Sequence, residues 1–181
     1  MQRQARSSGM TLLELAVVVS IVAILVSVGL DRLLRYTELA ERAAMEQSVS
    51  AMKSALGLRF AAMYLAGQQD SIKALPEENP MDWLAERPAG YVGELWNPSL
   101  SALQRPSWYF DRAARRLVYV PLRTRYLVRP GDEDPRISYR VIVEFSPGPG
   151  TRGALELRRL GMEASPPYIW FQDSSFEPPK P

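Results

Sequence analysis

Between Leu15 and Leu30 the chain carries no charged residue, and this run constrains the fold more than any other feature. Counted back to Met10 it makes 21 residues. At about 1.5 Å per residue, a helix of that length is roughly 31 Å long and matches a bilayer core of about 30 Å. The segment can therefore span a membrane. One acid, Glu14, stands at its mouth. A charged group near the centre of a span costs on the order of 2.5 to 3.5 kcal/mol on insertion scales, so an acid in this position calls for a partner or a function.

Residues 1–9 are polar and contain Arg3 and Arg6 with no acid, the pattern of a cytoplasmic leader under the positive-inside rule. This leader, the glycine at position 9, the sequence Thr11-Leu12-Leu13-Glu14-Leu15 and the unbroken apolar run together resemble the type IV prepilins, including the pseudopilins of type II secretion. The resemblance implies that prepilin peptidase cuts between Gly9 and Met10 and N-methylates Met10. It also implies that Glu14, fifth in the processed chain, acts in assembly. Cleavage creates an α-amino group that is cationic at neutral pH. In lipid neither charge tolerates isolation, so Glu14 meeting the terminal amine of a neighbouring subunit would fix the axial register of a filament. The plainer alternative is that Glu14 marks the membrane edge.

Two departures from the family pattern stand out. Major pilins usually carry proline where this chain has Asp31, and often glycine where it has Ala23. The disulfide common among them is also impossible, because the chain has no cysteine. Gly29 remains as a place where the helix can loosen. These departures favour a minor pilin or a pseudopilin over an abundant major pilin.

The 181 residues contain neither histidine nor cysteine, which removes the commonest general bases, thiol nucleophiles and zinc ligands. The composition speaks against an enzyme and implies no cofactor. Beyond Asp31 the apolar residues Met45, Val49, Met52, Leu56, Phe60 and Met63 recur every three or four positions, with Glu38, Glu41, Arg42, Glu46, Lys53 and Arg59 placed off that stripe. Residues 31–66 therefore read as an amphipathic continuation of the membrane helix of residues 10–30, with Gly67 as its stop. The methionines read as core, since thioethers at helical spacing normally pack.

Residues 67–181 form the expected periplasmic head. Its first part, 68–106, is a loop region rich in proline and glycine, with one short helix over Met81–Arg87, capped by Asn79, opened by Pro80 and ended by Pro88. Trp83, Leu84, Tyr91, Leu95 and Trp96 are expected in one satellite cluster. The sheet, 107–160, begins with a hairpin of Trp108-Tyr109-Phe110 and Leu117–Val120. It continues with the alternating stretch Ile137–Phe145, turns at Pro147–Gly150 and returns over Leu155–Arg158. Tyr168–Phe171 can add an edge strand. The expectation is an α+β, pilin-like fold in which a long N-terminal helix packs on an antiparallel sheet of about four strands.

The formal charge of +2 comes from the leader: 22 basic residues less Arg3 and Arg6 leave 20, equal to the 20 acids. Residues 105–159 nevertheless hold 12 arginines and 6 acids. Arg112, Arg115, Arg116, Arg123, Arg125 and Arg129, near Trp108, Tyr109 and Tyr126, can be read as a polyanion patch or as a solvated face complementary to acidic neighbours. No nucleic-acid motif accompanies them. The loop Asp132-Glu133-Asp134 offers weak calcium candidates, with a solvated turn as the alternative; otherwise no metal is expected.

The expected function is that of a minor pilin or pseudopilin subunit in a type IV pilus or a type II secretion pseudopilus. Its partners would be prepilin peptidase, other pilin or pseudopilin subunits, the inner-membrane assembly platform and the membrane itself. It would cross the inner membrane once, N-terminus cytoplasmic and head periplasmic, before entering a cell-surface pilus or periplasmic pseudopilus. The contrasting reading is a periplasmic binding protein, secreted or membrane-anchored, with an ordinary signal peptide or anchor. Ser27-Val28-Gly29 is a small-x-small site that such a peptide could use.

Overall fold

The computed structural model describes residues 11–129, 134–147 and 155–171. It divides into two units, Met1–Ala40 and Glu41–Pro181. Helix α1, Leu12–Leu65, is continuous for 54 residues, with no break at Ala23, Gly29 or Asp31.

Within the second unit, α1 packs by the stripe its spacing dictates. Met45, Val49, Met52 and Leu56 are buried, and Phe60 and Met63 are half-buried as the helix runs past the sheet. Each fully buried aliphatic side chain contributes roughly 1.5 to 3 kcal/mol through removal from water. The helix ends as Gly67 predicts. Gly67 has φ +70°, its N–H donates to the Tyr64 carbonyl, and the next N–H, of Gln68, reaches back to Met63. That pair of bonds is a Schellman cap, which satisfies carbonyls the helix would otherwise leave open.

The polar start of the following segment conceals a short helix, α2, Gln69–Ala74, which continues into a 3-10 turn, Leu75–Glu77. Its buried Ile72 and Leu75 join Leu56 and Val141 in one core cluster. The short helix expected over Met81–Arg87 is a 3-10 turn confined to Pro80–Trp83, with the Asn79 side chain accepting the Met81 N–H at 3.1 Å. Cap and proline are placed as expected, but the turn ends well before Pro88.

Among the described residues the main sheet has five strands, in the order β1 (Tyr91–Leu95), β2 (Ser107–Asp111), β3 (Arg116–Val120), β5 (Ile137–Pro147) and β6 (Leu155–Ala164), and is mixed rather than antiparallel. Strands β2, Ser107–Asp111, and β3, Arg116–Val120, form the expected hairpin, with Trp108 opposite Tyr119. Asp111 closes its turn by accepting the N–H groups of Ala113 and Ala114 at 3.0 and 3.3 Å. Strand β5, Ile137–Pro147, lies between β3 and β6, Leu155–Ala164. The unexpected strand is β1, Tyr91–Leu95, parallel to β2. Its burial alternates, with Tyr91, Gly93 and Leu95 inward, but the inward Gly93, at φ +106°, has no side chain and the outward Val92 is apolar, which hides the strand within the proline- and glycine-rich region. A parallel neighbour requires a crossover of about a dozen residues, supplied here by residues 96–106.

That crossover covers the sheet face turned away from α1. Leu95, Leu100 and Leu103 pack on Tyr109, Val118 and Val120, while Met45, Val49 and Met52 pack with Trp108, Leu117, Tyr119, Ile137, Tyr139 and Met162. Strand β2 is consequently buried at every position. The aromatics expected in one satellite cluster are divided: Leu84 and Tyr91 join the principal core, Trp83 the α2 cluster and Leu95 the opposite face, whereas Trp96 is 75% exposed. A separate two-stranded ladder pairs β4, Leu127–Val128, with β7, Ile169–Trp170, and Tyr126 stacks on Phe171 at 4.7 Å.

Candidate functional site

The apolar part of α1 is the candidate assembly element. Thr11 opens it, its hydroxyl accepting the Glu14 N–H at 3.2 Å, so Thr11-Leu12-Leu13-Glu14 has the spacing of a capping box. Glu14 thus occupies the first turn, where a carboxylate also faces the favourable end of the helix dipole. From Leu12 to Leu33 every residue is exposed, although none between Leu15 and Leu30 is charged. Ser20 removes its hydroxyl from that surface by donating to the Ala16 carbonyl at 2.7 Å. This helix is long and apolar enough to cross a membrane. The leader, with Gly9 and Met10 at the expected cut, lies outside the described residues.

Arg112 and Arg115 lie apart from Arg123 and Arg125 rather than on one surface with them. Arg112 and Arg115 sit in the β2–β3 turn, where Arg112 faces Glu94 at 3.5 Å and Arg115 pairs with Glu77. Beside them Arg59 grips Glu78 with two bonds, at 2.8 and 3.2 Å, and Glu78 also accepts the Trp83 indole N–H at 2.8 Å. These groups border an open cleft of about 650 Å³ in which Arg59, Arg112 and Arg115 are matched by Glu77, Glu78, Asp82 and Glu94. Its balance suits neither a polyanion nor a polycation.

Arg123 and Arg125 lie beyond the other end of β3, a strand of five residues spanning roughly 17 Å at about 3.4 Å per residue. The Arg125 guanidinium lies 5.8 Å from the Tyr126 ring centre. Arg116 is half-buried with its Nε enclosed. Trp108 and Tyr109, two of the rings expected beside the polyanion patch, are 3% and 1% exposed because both faces of β2 are covered. The sequence places six arginines in one stretch, but β3 separates Arg112 and Arg115 from Arg123 and Arg125, and Arg129 donates to the Asp134 carbonyl.

Of the acidic loop, Asp132 and Glu133 lie outside the described residues. Asp134 is committed to Arg136: it accepts the backbone N–H at 2.9 Å and the Nε–H at 2.7 Å. Arg136 also donates to the Tyr109 hydroxyl at 3.2 Å and the Pro98 carbonyl at 3.3 Å, tying the crossover to the sheet. Burial works to raise the Asp134 carboxyl, but the bonds and charge of Arg136, with the charge of Arg129, outweigh it and hold it below the usual carboxylate range. Among the described residues no three carboxylates converge as a metal site requires.

One polar clamp escaped the sequence reading. Glu41 accepts the Tyr119 hydroxyl at 3.0 Å, the Leu122 N–H at 2.6 Å and the Arg123 N–H at 3.3 Å, clamping α1 to the segment after β3. Burial, then the charge and bond of Glu41, push the Tyr119 hydroxyl above its ordinary pKa. Glu41 stands four residues before Met45 and therefore on the apolar stripe rather than off it. Glu38, seven before Met45, is buried as well. An acid in register with an apolar stripe was the available signal. Compared with protein-family models, with curated proteins and with solved structures, the chain matches none.

Proposed function

We propose that the chain is an assembly subunit of the type IV pilin class, a minor pilin or pseudopilin, held by one span in the inner membrane before it enters a pilus or a secretion pseudopilus. The single observation that carries this reading is the apolar segment of α1: a fully exposed, uncharged helix face all round, entered through Thr11 and one acid, Glu14. Such a surface needs lipid or other helices around it, and a filament of packed N-terminal helices supplies the second after the membrane has supplied the first. Glu14 would then meet the terminal amine of a neighbour and set the axial step. The head, with its charges largely matched, would provide lateral contacts rather than chemistry.

Mass spectrometry of the mature N-terminus, from membranes of cells with and without prepilin peptidase, tests the proposal. A chain that begins at N-methylated Met10 only when the peptidase is present supports it. A chain beginning at Leu30 would replace it with a secreted binding protein, and an uncut Met1 with a fixed anchor.

A further inference from the structure

We infer that Arg32, Arg35 and Tyr36 form a collar that binds lipid phosphate at the outer face of the membrane and sets the depth of Glu14. The inference rests on the membrane-span reading above. Beyond Leu30 the helix continues without interruption, and all three side chains are exposed, Tyr36 by 63%. Positions 32, 35 and 36 are related by three and four residues, so they share one side of the helix within little more than one turn. A bilayer has about 5 to 8 Å of headgroup region outside each face of its hydrocarbon core. The rise from Arg32 to Tyr36, four residues at about 1.5 Å, fills that layer.

Guanidinium forks match phosphate oxygens, and tyrosine settles at the same level with its ring toward the acyl chains and its hydroxyl in the headgroups. Asp31 precedes Arg35 by the four residues of a helical ion pair. Arg35 has five N–H donors, enough to serve both an acid and a phosphate. The collar also accounts for a vertical distance. Arg32 and Glu14 are 18 residues apart, or about 27 Å of helix, against a core of about 30 Å. With Arg32 held at the outer boundary, Glu14 comes to rest about 3 Å inside the inner one, deep enough to seek a partner. Leu33 and Leu34 would otherwise allow the helix to slip outward-in by about a turn, carrying Glu14 into the headgroups.

The chain has no cysteine, so single cysteines report position directly. The full chain carrying Leu33→Cys is reconstituted in phosphatidylglycerol–phosphatidylethanolamine nanodiscs in phosphate-free buffer. Its labelling by a membrane-impermeant maleimide is measured against Leu58→Cys, which is exposed on the later part of α1. In the Arg32→Gln/Arg35→Gln background the Leu33→Cys rate should fall at least fivefold. The same fall should occur with both arginines present when the lipids are galactolipids without phosphate, and Arg32→Lys/Arg35→Lys should restore labelling. Equal rates under all these conditions would overturn the collar while leaving the span intact. Rapid labelling of Leu25→Cys would overturn both, because the apolar segment would then not lie in the bilayer.

Discussion

Replacing Glu41 by alanine should destabilise the head by about 2 to 4 kcal/mol, through hydrogen bonds rather than lost packing. The carboxylate accepts three donors from the Tyr119 hydroxyl and the backbone of Leu122 and Arg123. Water can reach the Leu122 and Arg123 amides once the carboxylate is gone, so those two bonds are largely replaced. Tyr119 is 5% exposed, and its hydroxyl would be left in the core without an acceptor, at a cost of about 1 to 3 kcal/mol. A further contribution of about 1 kcal/mol comes from exchanging charge-assisted amide bonds for bonds to water. The second unit, Glu41–Pro181, has 141 residues, which at about 2.1 cal/mol/K per residue gives an unfolding entropy near 0.3 kcal/mol/K. The expected fall in Tm is therefore about 7 to 13 °C, read by near-ultraviolet circular dichroism of the full chain in detergent. Tyr119→Phe removes the orphaned hydroxyl, so in that background Glu41→Ala should cost at least 1 kcal/mol less. Additive effects, or a fall in Tm below about 2 °C, would refute the clamp.

The apolar stripe predicts a contrast between neighbours on α1. Leu56→Ala should cost about 2 to 5 kcal/mol, whereas Leu58→Ala, two residues on and 75% exposed, should stay within about 0.5 kcal/mol; urea unfolding of both variants checks this. For Asp134 the folded pKa is depressed, so its contribution is fully present above the unfolded value of about 3.9 and is lost as pH falls through the lower folded value. Asp134→Asn should therefore lower Tm at pH 6 and make no further difference once the pH lies below the folded value. A difference of equal size at both ends of an acid titration of Tm would contradict the Arg136 pairing.

The parts of the fold legible in the sequence are those in which one period dominates. Met45, Val49, Met52 and Leu56 could only be one face of a helix, and the alternation from Ile137 to Phe145 could only be a strand with one buried side. Strand β1 showed no such period in its sequence because its inward Gly93 has no side chain and its outward Val92 is apolar, and α2 showed none because six residues are too few to display one. Both were recovered in space by long-range pairing: β1 by its ladder to β2, α2 by Ile72 and Leu75 reaching the cluster around Leu56. Local propensity carried little of either.

The site divides in the same way. Glu14 was conspicuous because its surroundings are uniform: one acid before an uncharged run needs no tertiary knowledge to be noticed. The arginines were misleading for the opposite reason, since proximity in sequence across a hairpin turn and a strand becomes separation in space, and acids from residues 77–94 reach Arg112 and Arg115 from a distant part of the chain. Glu41 shows what the one-dimensional pattern does contain. An acid at a stripe position must either break the stripe or find donors, and here a tyrosine hydroxyl and two backbone amides supply them. Under the proposed function the same rule asks Glu14, which begins an exposed apolar stripe, for donors from a neighbouring subunit once other helices surround it. A neighbouring chain's terminal amine is the donor that processing after Gly9 would create, so the requirement and the proposed assembly step arise from one physical cause.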